Sequence, residues 1–376
     1  MAIYIKSTVS DPQKEQEGQN AYVSYLITTN SNAKTFQKES FSVRRRYSDF
    51  FFLYNTLFNE YPACLVPPLS EKAVFEFINR FDYDFVTKRA ASLNRFLERI
   101  SKHPILQKAT VYLEFLESND WNAFKRAIGT KNIPVAISSA DESATSLNND
   151  DEFLLDDIKE KISTFEDNLT QVEKTFNKVL KRENELSTDV DDLSAQFLKF
   201  STIETNLKNE LELFSTKNHD LSLNISSLRN ETDTNYITSL KDMLQYASAL
   251  KALLKLREQK INDFDSLVNQ LNKAESDKQA GDNSNFLRDK IENVRGVDRE
   301  HAKQERLKKL ETKIANLQDQ INVETQNVKD FKAISLHEIS IFNEIKKTEL
   351  KSTLSDLAQN HINFYQNLIN NWEMLL

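Results

Sequence analysis

All six prolines of the chain lie at or before Pro134, and the 242 residues that follow hold none, with Gly281 and Gly296 as their only glycines. Proline clashes with the preceding helical turn and lacks the N–H a helix interior needs, while glycine costs about 1 kcal/mol there relative to alanine. A stretch nearly free of both can run as helix far beyond the usual three turns. The chain therefore divides into a head that carries the backbone punctuation and a long helical body.

Composition fits that division. With 28% charged and 39% apolar residues and a mean hydropathy of -0.57, the 376 residues suit elongated, largely wet helices better than one large core. The formal charge of -8 is uneven: residues 1–125 hold 16 Lys and Arg against 14 Asp and Glu, a net +2, which leaves -10 on the remainder. A patch in the head could bind an anion although the overall charge opposes anionic partners, and the body lacks the extended cationic track that nucleic acid requires. Cys64 is alone, which rules out an intrachain disulfide and a cysteine-cluster zinc site; a small buried residue in a reducing compartment is expected there. The start, MAIYIKSTVS, lacks a secretory apolar core, and no uncharged apolar run of 18 residues follows, so any membrane attachment is expected to be peripheral.

In the head, AIYIKSTVS, AYVSYLITT and SFSVRRRYS mix partial alternation with β-branched and aromatic residues and read as three antiparallel strands. A helical DFFFLYNTLFNEY, a turn-rich PACLVPPLSEK and two or three helices from about Phe85 to Arg126 follow, with Leu93, Phe96, Leu97 and Ile100 as an apolar stripe. The head is α+β. Its most informative piece is VRRRYSDF, Val43 to Phe50. Guanidinium forks match phosphate oxygens, and the adjacent Tyr47 offers a flat ring to a sugar-like ring. In a strand, Arg44 and Arg46 face one way and Arg45 the other, so only part of the cluster enters one pocket. Arg45 is expected to brace the region, Asp49 to cap the following helix and Phe50 to fill the core.

These pieces stand in an order that resembles a PX domain, the phosphoinositide-binding fold of sorting nexins: Asp11 and Pro12, RRYSDF, the PPL turn with its following lysine, and the helix KRAASLNRFLERI, over roughly 120 residues. The resemblance implies a site of four residues. Arg46 would grip the 3-phosphate, Tyr47 would support the inositol, Lys72 would contact the 1-phosphate, and Arg89 would bind the 4- and 5-hydroxyls. It implies a preference for phosphatidylinositol 3-phosphate. Within AVFEFINRF, Val74, Phe75 and Phe77 are candidates for a wedge between lipids. No cofactor and no metal site is expected.

The body opens with a small, polar, acidic linker, residues 127–150, and then turns periodic. Leu155, Ile158, Ile162, Phe165, Leu169, Val172, Phe176 and Val179 recur at three- and four-residue steps, a second amphipathic region runs from about Ile203 to Leu271, and a third continues from Phe286 nearly to the C-terminus. A 60-residue helix would span roughly 90 Å and needs partners along its length. Three antiparallel helices with a residual apolar stripe predict dimerisation through a six-helix centre. The body resembles an all-α BAR domain of the sorting-nexin type, most clearly in YASALKALLKLREQKINDFDSLVNQL with Tyr246, Lys251 and Arg257. Lys181, Arg182, Lys255, Arg257, Lys260, Arg288 and Lys290 are candidate membrane-facing cations.

The combined layout is a PX domain over 1–126, the linker, and a BAR dimerisation and curvature domain over 151–376. It resembles the autophagy-related PX–BAR sorting nexins of fungi. That resemblance implies a peripheral protein of early endosomes and preautophagosomal structures. It would retrieve membrane proteins such as SNAREs to the Golgi, act in selective autophagy, and pair with another PX–BAR nexin or with itself. The alternative is a coiled-coil tether whose head recognises protein. No GxSxG, HExxH or GxxxxGK[ST] motif is present, and His103, His219, His301, His337 and His361 are dispersed, so an enzyme is not expected.

Overall fold

The computed structural model describes residues 4–16, 21–69, 81–129, 150–282 and 299–374. In the head, β1 (Ile5–Glu15), β2 (Tyr22–Ser31) and β3 (Ser40–Arg46) form an antiparallel sheet in the order β1-β2-β3, with Val9 opposite Ile27 and Ile27 opposite Val43. Ile5, Ser7 and Val9 alternate inward as a half-buried strand requires. A bulge between Ser10 and Gln13 interrupts the β1–β2 ladder at Asp11-Pro12, where proline has no N–H to give. Asp11 takes φ 44 there, a left-handed conformation that aspartate tolerates better than most residues.

Among the described residues, five further elements close the head: α1 (Tyr47–Glu60), α2 (Tyr83–Lys102), a 3-10 turn (Leu106–Lys108), α3 (Thr110–Glu117) and α4 (Trp121–Gly129). The strand pattern predicts that β3 continues through Ser48, but helix begins at Tyr47. The Asp49 carboxylate accepts the Arg46 backbone N–H at 3.1 Å and so satisfies a donor at the helix start. Phe50, Leu53 and Leu57 of α1, Leu93, Phe96, Leu97 and Ile100 of α2 and Val111, Tyr112 and Phe115 of α3 are all buried, and Phe50 contacts both Phe96 and Phe115. Phe50 packs edge-on to Phe115 at 4.9 Å, and Phe115 to Trp121 at 5.3 Å, so aromatic edges fill the sheet-helix core. Burial raises the Tyr112 phenol well above its ordinary value. Cys64 is buried, as its size and isolation suggest.

The body contains α5 (Asp150–Ser201), α6 (Lys208–Glu231), a π-helical turn (Thr232–Ile237), α7 (Thr238–Asp282) and α8 (Arg299–Glu373). Long helices thus occupy the three stretches where the apolar period places them, and the second stretch contains a π turn that its sequence does not announce. The linker expected at 127–150 falls almost wholly outside the described residues.

Contacts group the described residues into two units. The first joins the head to residues 150–251 and 339–374. Here α5 and α6 run antiparallel with serines at their contact: Ser194 Oγ donates to Ser215 O at 2.8 Å and Ser187 Oγ to Ser222 O at 3.0 Å. Small side chains let the two backbones approach closely, and Phe176–Tyr236 and Phe197–Phe214 flank the serine seam at 4.5 and 4.7 Å. The C-terminal part of α8 joins this pair through Trp372 on Phe214 and Asn371 on the Lys217 carbonyl, and it meets α7 through Phe342 on Tyr246. The second unit comprises, among the described residues, 252–282 and 299–338. Its described part pairs α7 with α8, with Lys278–Glu311 at 3.0 Å and Lys260 over the Phe331 ring at 5.7 Å.

Candidate functional site

Three successive arginines at the end of β3 go to three different places. Arg44 turns back along the sheet, where Nη1 meets the Asp11 carboxylate at 3.0 Å, Nη2 donates to the Asp11 carbonyl at 2.8 Å, and Nε lies 3.8 Å from Glu15. The bulge that puts Asp11 in a left-handed conformation therefore gives Arg44 its partner. Arg45 points into the head, 5% exposed. It donates to the carbonyls of Phe115, Ser118 and Arg44, and lies over the Phe115 and Trp121 rings at 5.5 and 5.3 Å. Burial pulls its pKa down to about 10, with nearby Asp49 working in the other direction. It braces α3 and α4 as expected.

Arg46 is different. Its side chain is 48% exposed, over the Tyr22 ring at 5.7 Å, with Nε 3.9 Å from Asp49 Oδ1. That carboxylate is already committed: Lys125 Nζ meets it at 2.6 Å and the Arg46 backbone N–H takes its other oxygen. Arg46 therefore presents a half-exposed guanidinium whose nearest carboxylate is satisfied elsewhere, an arrangement open to an anion.

Arg89 reaches the start of α1 from α2. Its guanidinium carbon lies 4.3 Å from the Tyr47 ring centroid and 4.3 Å from that of Phe85. Tyr47 follows Arg46 directly in the chain, so the ring that carries Arg89 belongs to the residue next to Arg46. Cation–π contact with the two rings orients the Arg89 guanidinium. The site is cationic, aromatic and rimmed by fork-shaped donors, which suits a phosphorylated ring.

Phe85 and Tyr22 are supports that the sequence motifs do not single out. Phe85 is legible in principle, since it stands four residues before Arg89 on one helix face. Tyr22 depends on strand pairing and is not. Lys72, Val74, Phe75 and Phe77 lie outside the described residues, as do Arg288 and Lys290. Among the remaining body cations, Lys181, Arg182, Lys255 and Lys260 are exposed, with Lys181 3.9 Å from Glu185. Arg257 is a correction: it is 4% exposed and shares the inward face of α7 with Leu253 and Leu254, four and three residues before it, so it cannot present its charge to a membrane.

Residues 33–119 match the PX domain family, and residues 130–376 match the family described as Vps5 C terminal like. The chain is thus a PX protein with a Vps5-type helical region. It is 39% identical to sorting nexin-4 of Emericella nidulans, across 98% of this chain and 82% of that protein, and 32% identical to sorting nexin-4 of Eremothecium gossypii, across 98% and 96%. The chain belongs to the fungal sorting nexin-4 family of PX–BAR proteins. Its fold is shared with the SNX-BAR protein Mvp1, solved by cryo-EM as a tetramer, at a TM-score of 0.70 and 19% identity over 98% of this chain and 99% of that one. The family consists of non-catalytic, lipid-binding scaffolds with a peripheral, endosomal role in membrane sorting.

Proposed function

We propose that this chain binds phosphatidylinositol 3-phosphate through Arg46, Tyr47 and Arg89, with Lys72 as the fourth ligand. On that lipid it retrieves endosomal membrane proteins, SNAREs among them, toward the Golgi, and it serves selective autophagy at preautophagosomal membranes. The observation that carries the lipid reading is Arg89 stacked on Tyr47 beside the half-exposed Arg46. One guanidinium serves a phosphate and the other the ring hydroxyls, where a further phosphate would crowd Arg89. Exposed Phe81 and Tyr83 stand at the end of the segment that carries Val74, Phe75 and Phe77, which supports membrane contact by that edge of the head.

The body acts in this proposal as a three-helix BAR domain that pairs with a second copy or a related nexin. Val172, Val179, Leu186, Leu193 and Phe200 are spaced seven residues apart on α5, and every one is at least 37% exposed. A heptad of exposed apolar side chains on a 52-residue helix is a seam awaiting a partner helix. Leu354, Ile362, Tyr365 and Ile369 of α8 are exposed as well. Of the candidate membrane-facing cations, Lys181, Arg182, Lys255 and Lys260 are described and exposed, and they serve anionic lipid in this proposal.

Flotation of the full chain with liposomes that each carry a single phosphoinositide tests the reading, with Arg46→Ala alongside. Selective recovery with the 3-phosphate lipid, lost in the variant, is expected. Equal recovery with every lipid, or with none, would shift the weight to a protein-recognising tether.

A further inference from the structure

The helix that supplies Arg89 to the lipid site also carries a polar stripe on another face. Lys88, Ser92, Arg95 and Arg99 succeed one another at steps of four, three and four along α2, which aligns them along one side. Each meets the helical segments of the same compact unit. Lys88, one residue before Arg89, pairs with Asp233 in the π turn. The Ser92 hydroxyl and Arg95 Nε both donate to the Asp242 carboxylate at 2.7 Å. Arg99 is 1% exposed, holds Glu349 through Nε at 2.8 Å and Nη2 at 2.7 Å, and donates through Nη1 to the Asp242 carbonyl at 3.1 Å. Its guanidinium also lies 4.6 Å from the Tyr246 ring. Burial opposes the charge on Arg99, but its bonds to Glu349 and the nearby Asp242 outweigh burial and hold it firmly protonated.

Two features of this contact matter. A bidentate guanidinium–carboxylate pair fixes orientation as well as distance, because both parallel bonds fail when the planes rotate. A buried pair is also asymmetric to perturbation: removing one partner strands a charge, whereas replacing both by apolar side chains is close to neutral. The remaining faces of α2 are held inside the head by Leu93, Leu97 and Ile100, each fully buried. Loss of the polar stripe would leave the lipid site's internal shape intact and free only its direction.

We infer that Asp242 and Glu349 are positioning residues for the lipid site: by gripping Ser92, Arg95 and Arg99 they fix the direction in which Arg46, Tyr47 and Arg89 face relative to the helices of their unit. The inference rests on the reading of that site as a lipid pocket, and its test separates the two. Spin labels at Asn122→Cys in the head and Asp189→Cys in α5 report the distance distribution in full-length protein, in a Cys64→Ser background diluted with unlabelled chain. Binding is measured with vesicles containing phosphatidylinositol 3-phosphate and with its short-chain soluble form.

The parent protein is expected to show a narrow distribution. Glu349→Leu broadens it severalfold and weakens vesicle binding about tenfold, while affinity for the soluble lipid stays within twofold. Arg99→Met combined with Glu349→Leu restores both the narrow distribution and the vesicle affinity. A Glu349→Leu protein as narrow and as tightly bound as the parent would overturn the inference, and so would a paired variant as broad as the single one. If Glu349→Leu does not fold, Asp242→Asn, which keeps the side chain's shape, is expected to broaden the distribution, and an unchanged width would overturn the inference in its place. Failure of the parent protein to bind the soluble lipid would defeat the lipid reading alone, because the distance distributions still decide the grip.

Discussion

Adjacent arginines in the head should separate stability from recognition. Arg45→Ala removes a buried cation that caps the Phe115 and Ser118 carbonyls at the end of α3 and covers two aromatic rings. The buried Phe115 carbonyl left without its donor costs about 1–3 kcal/mol, the part-buried Ser118 carbonyl less, and the ring contacts contribute about 0.5–2 kcal/mol. Release of the desolvated charge, visible in the pKa pulled down to about 10, offsets part of this. A net loss of about 3 kcal/mol is expected, which lowers the melting temperature of a domain this size by roughly 10 °C. Arg46→Ala touches no buried carbonyl and should change stability by less than about 0.5 kcal/mol, as surface substitutions do. It forfeits a charge-assisted phosphate contact of about 1.5–3 kcal/mol, roughly ten- to a hundredfold in lipid affinity. Trp121 lies beside Arg45 and reports head unfolding by fluorescence once Trp372→Phe silences the other indole. Urea midpoints and soluble-lipid titrations of both variants then form a two-by-two comparison. Equal losses of stability from the two substitutions, or lipid binding untouched in Arg46→Ala, would refute the assignment of one arginine to the core and its neighbour to the ligand.

Leu186→Asp together with Leu193→Asp should convert the proposed dimer to monomer in sedimentation velocity without changing helix content, and an unaltered mass would remove α5 from the interface. Phe85→Ala should weaken soluble-lipid binding two- to fivefold, the equivalent of about 0.5–1 kcal/mol for one cation–π support of Arg89, whereas unchanged affinity would show that Tyr47 alone suffices. Glu183 gives a pH test. Burial raises its carboxyl pKa, with His361 and Arg229 pulling against that. Between the unfolded value and the raised folded one the folded chain holds more protons, so stability falls as pH rises through that window. Glu183→Gln should therefore melt higher than the parent at pH 7 and level with it at pH 4; a gap that persists at pH 4 would place the effect in packing.

Local period carries what is legible in the sequence. The two-residue alternation of a strand is enough to separate Arg45 from its neighbours, and the stripe of Leu93, Phe96, Leu97 and Ile100 is the core face of α2. The same rule, applied to α7, withdraws Arg257 from the membrane candidates, because it follows Leu253 and Leu254 by four and three residues; its position on the helix outweighs its charge. The strand-to-helix boundary at Tyr47 turns on one hydrogen bond to Asp49. Long-range pairing leaves no such trace. Arg99 and Glu349 are 250 residues apart, and a buried arginine on a helix of mixed polarity looks like a solvated one until its carboxylate arrives. The π turn at Thr232–Ile237 also leaves no compositional mark, although Asp233 within it reaches Lys88, and the Thr238 hydroxyl returns to the Asp233 carbonyl at 3.1 Å across the wide turn.

The proposed pocket and the proposed dimer depend on one another through geometry. A single pocket of three or four contacts yields modest affinity, and a paired molecule gains from its second pocket only if both face one surface at once. When they do, the second binding step becomes intramolecular and overall avidity rises by about 10²–10⁴ without a new contact. A head on a loose tether would still find lipid, but it would sample many directions and lose most of that factor. A head gripped through Arg99 and Glu349 spends no orientational entropy at the membrane, because that cost was met when the chain folded. The acidic body strengthens the requirement, since -10 of net charge beyond residue 125 repels an anionic bilayer wherever its exposed cations are not aimed at it. In a chain of this charge, orientation rather than bulk attraction decides whether the membrane is held.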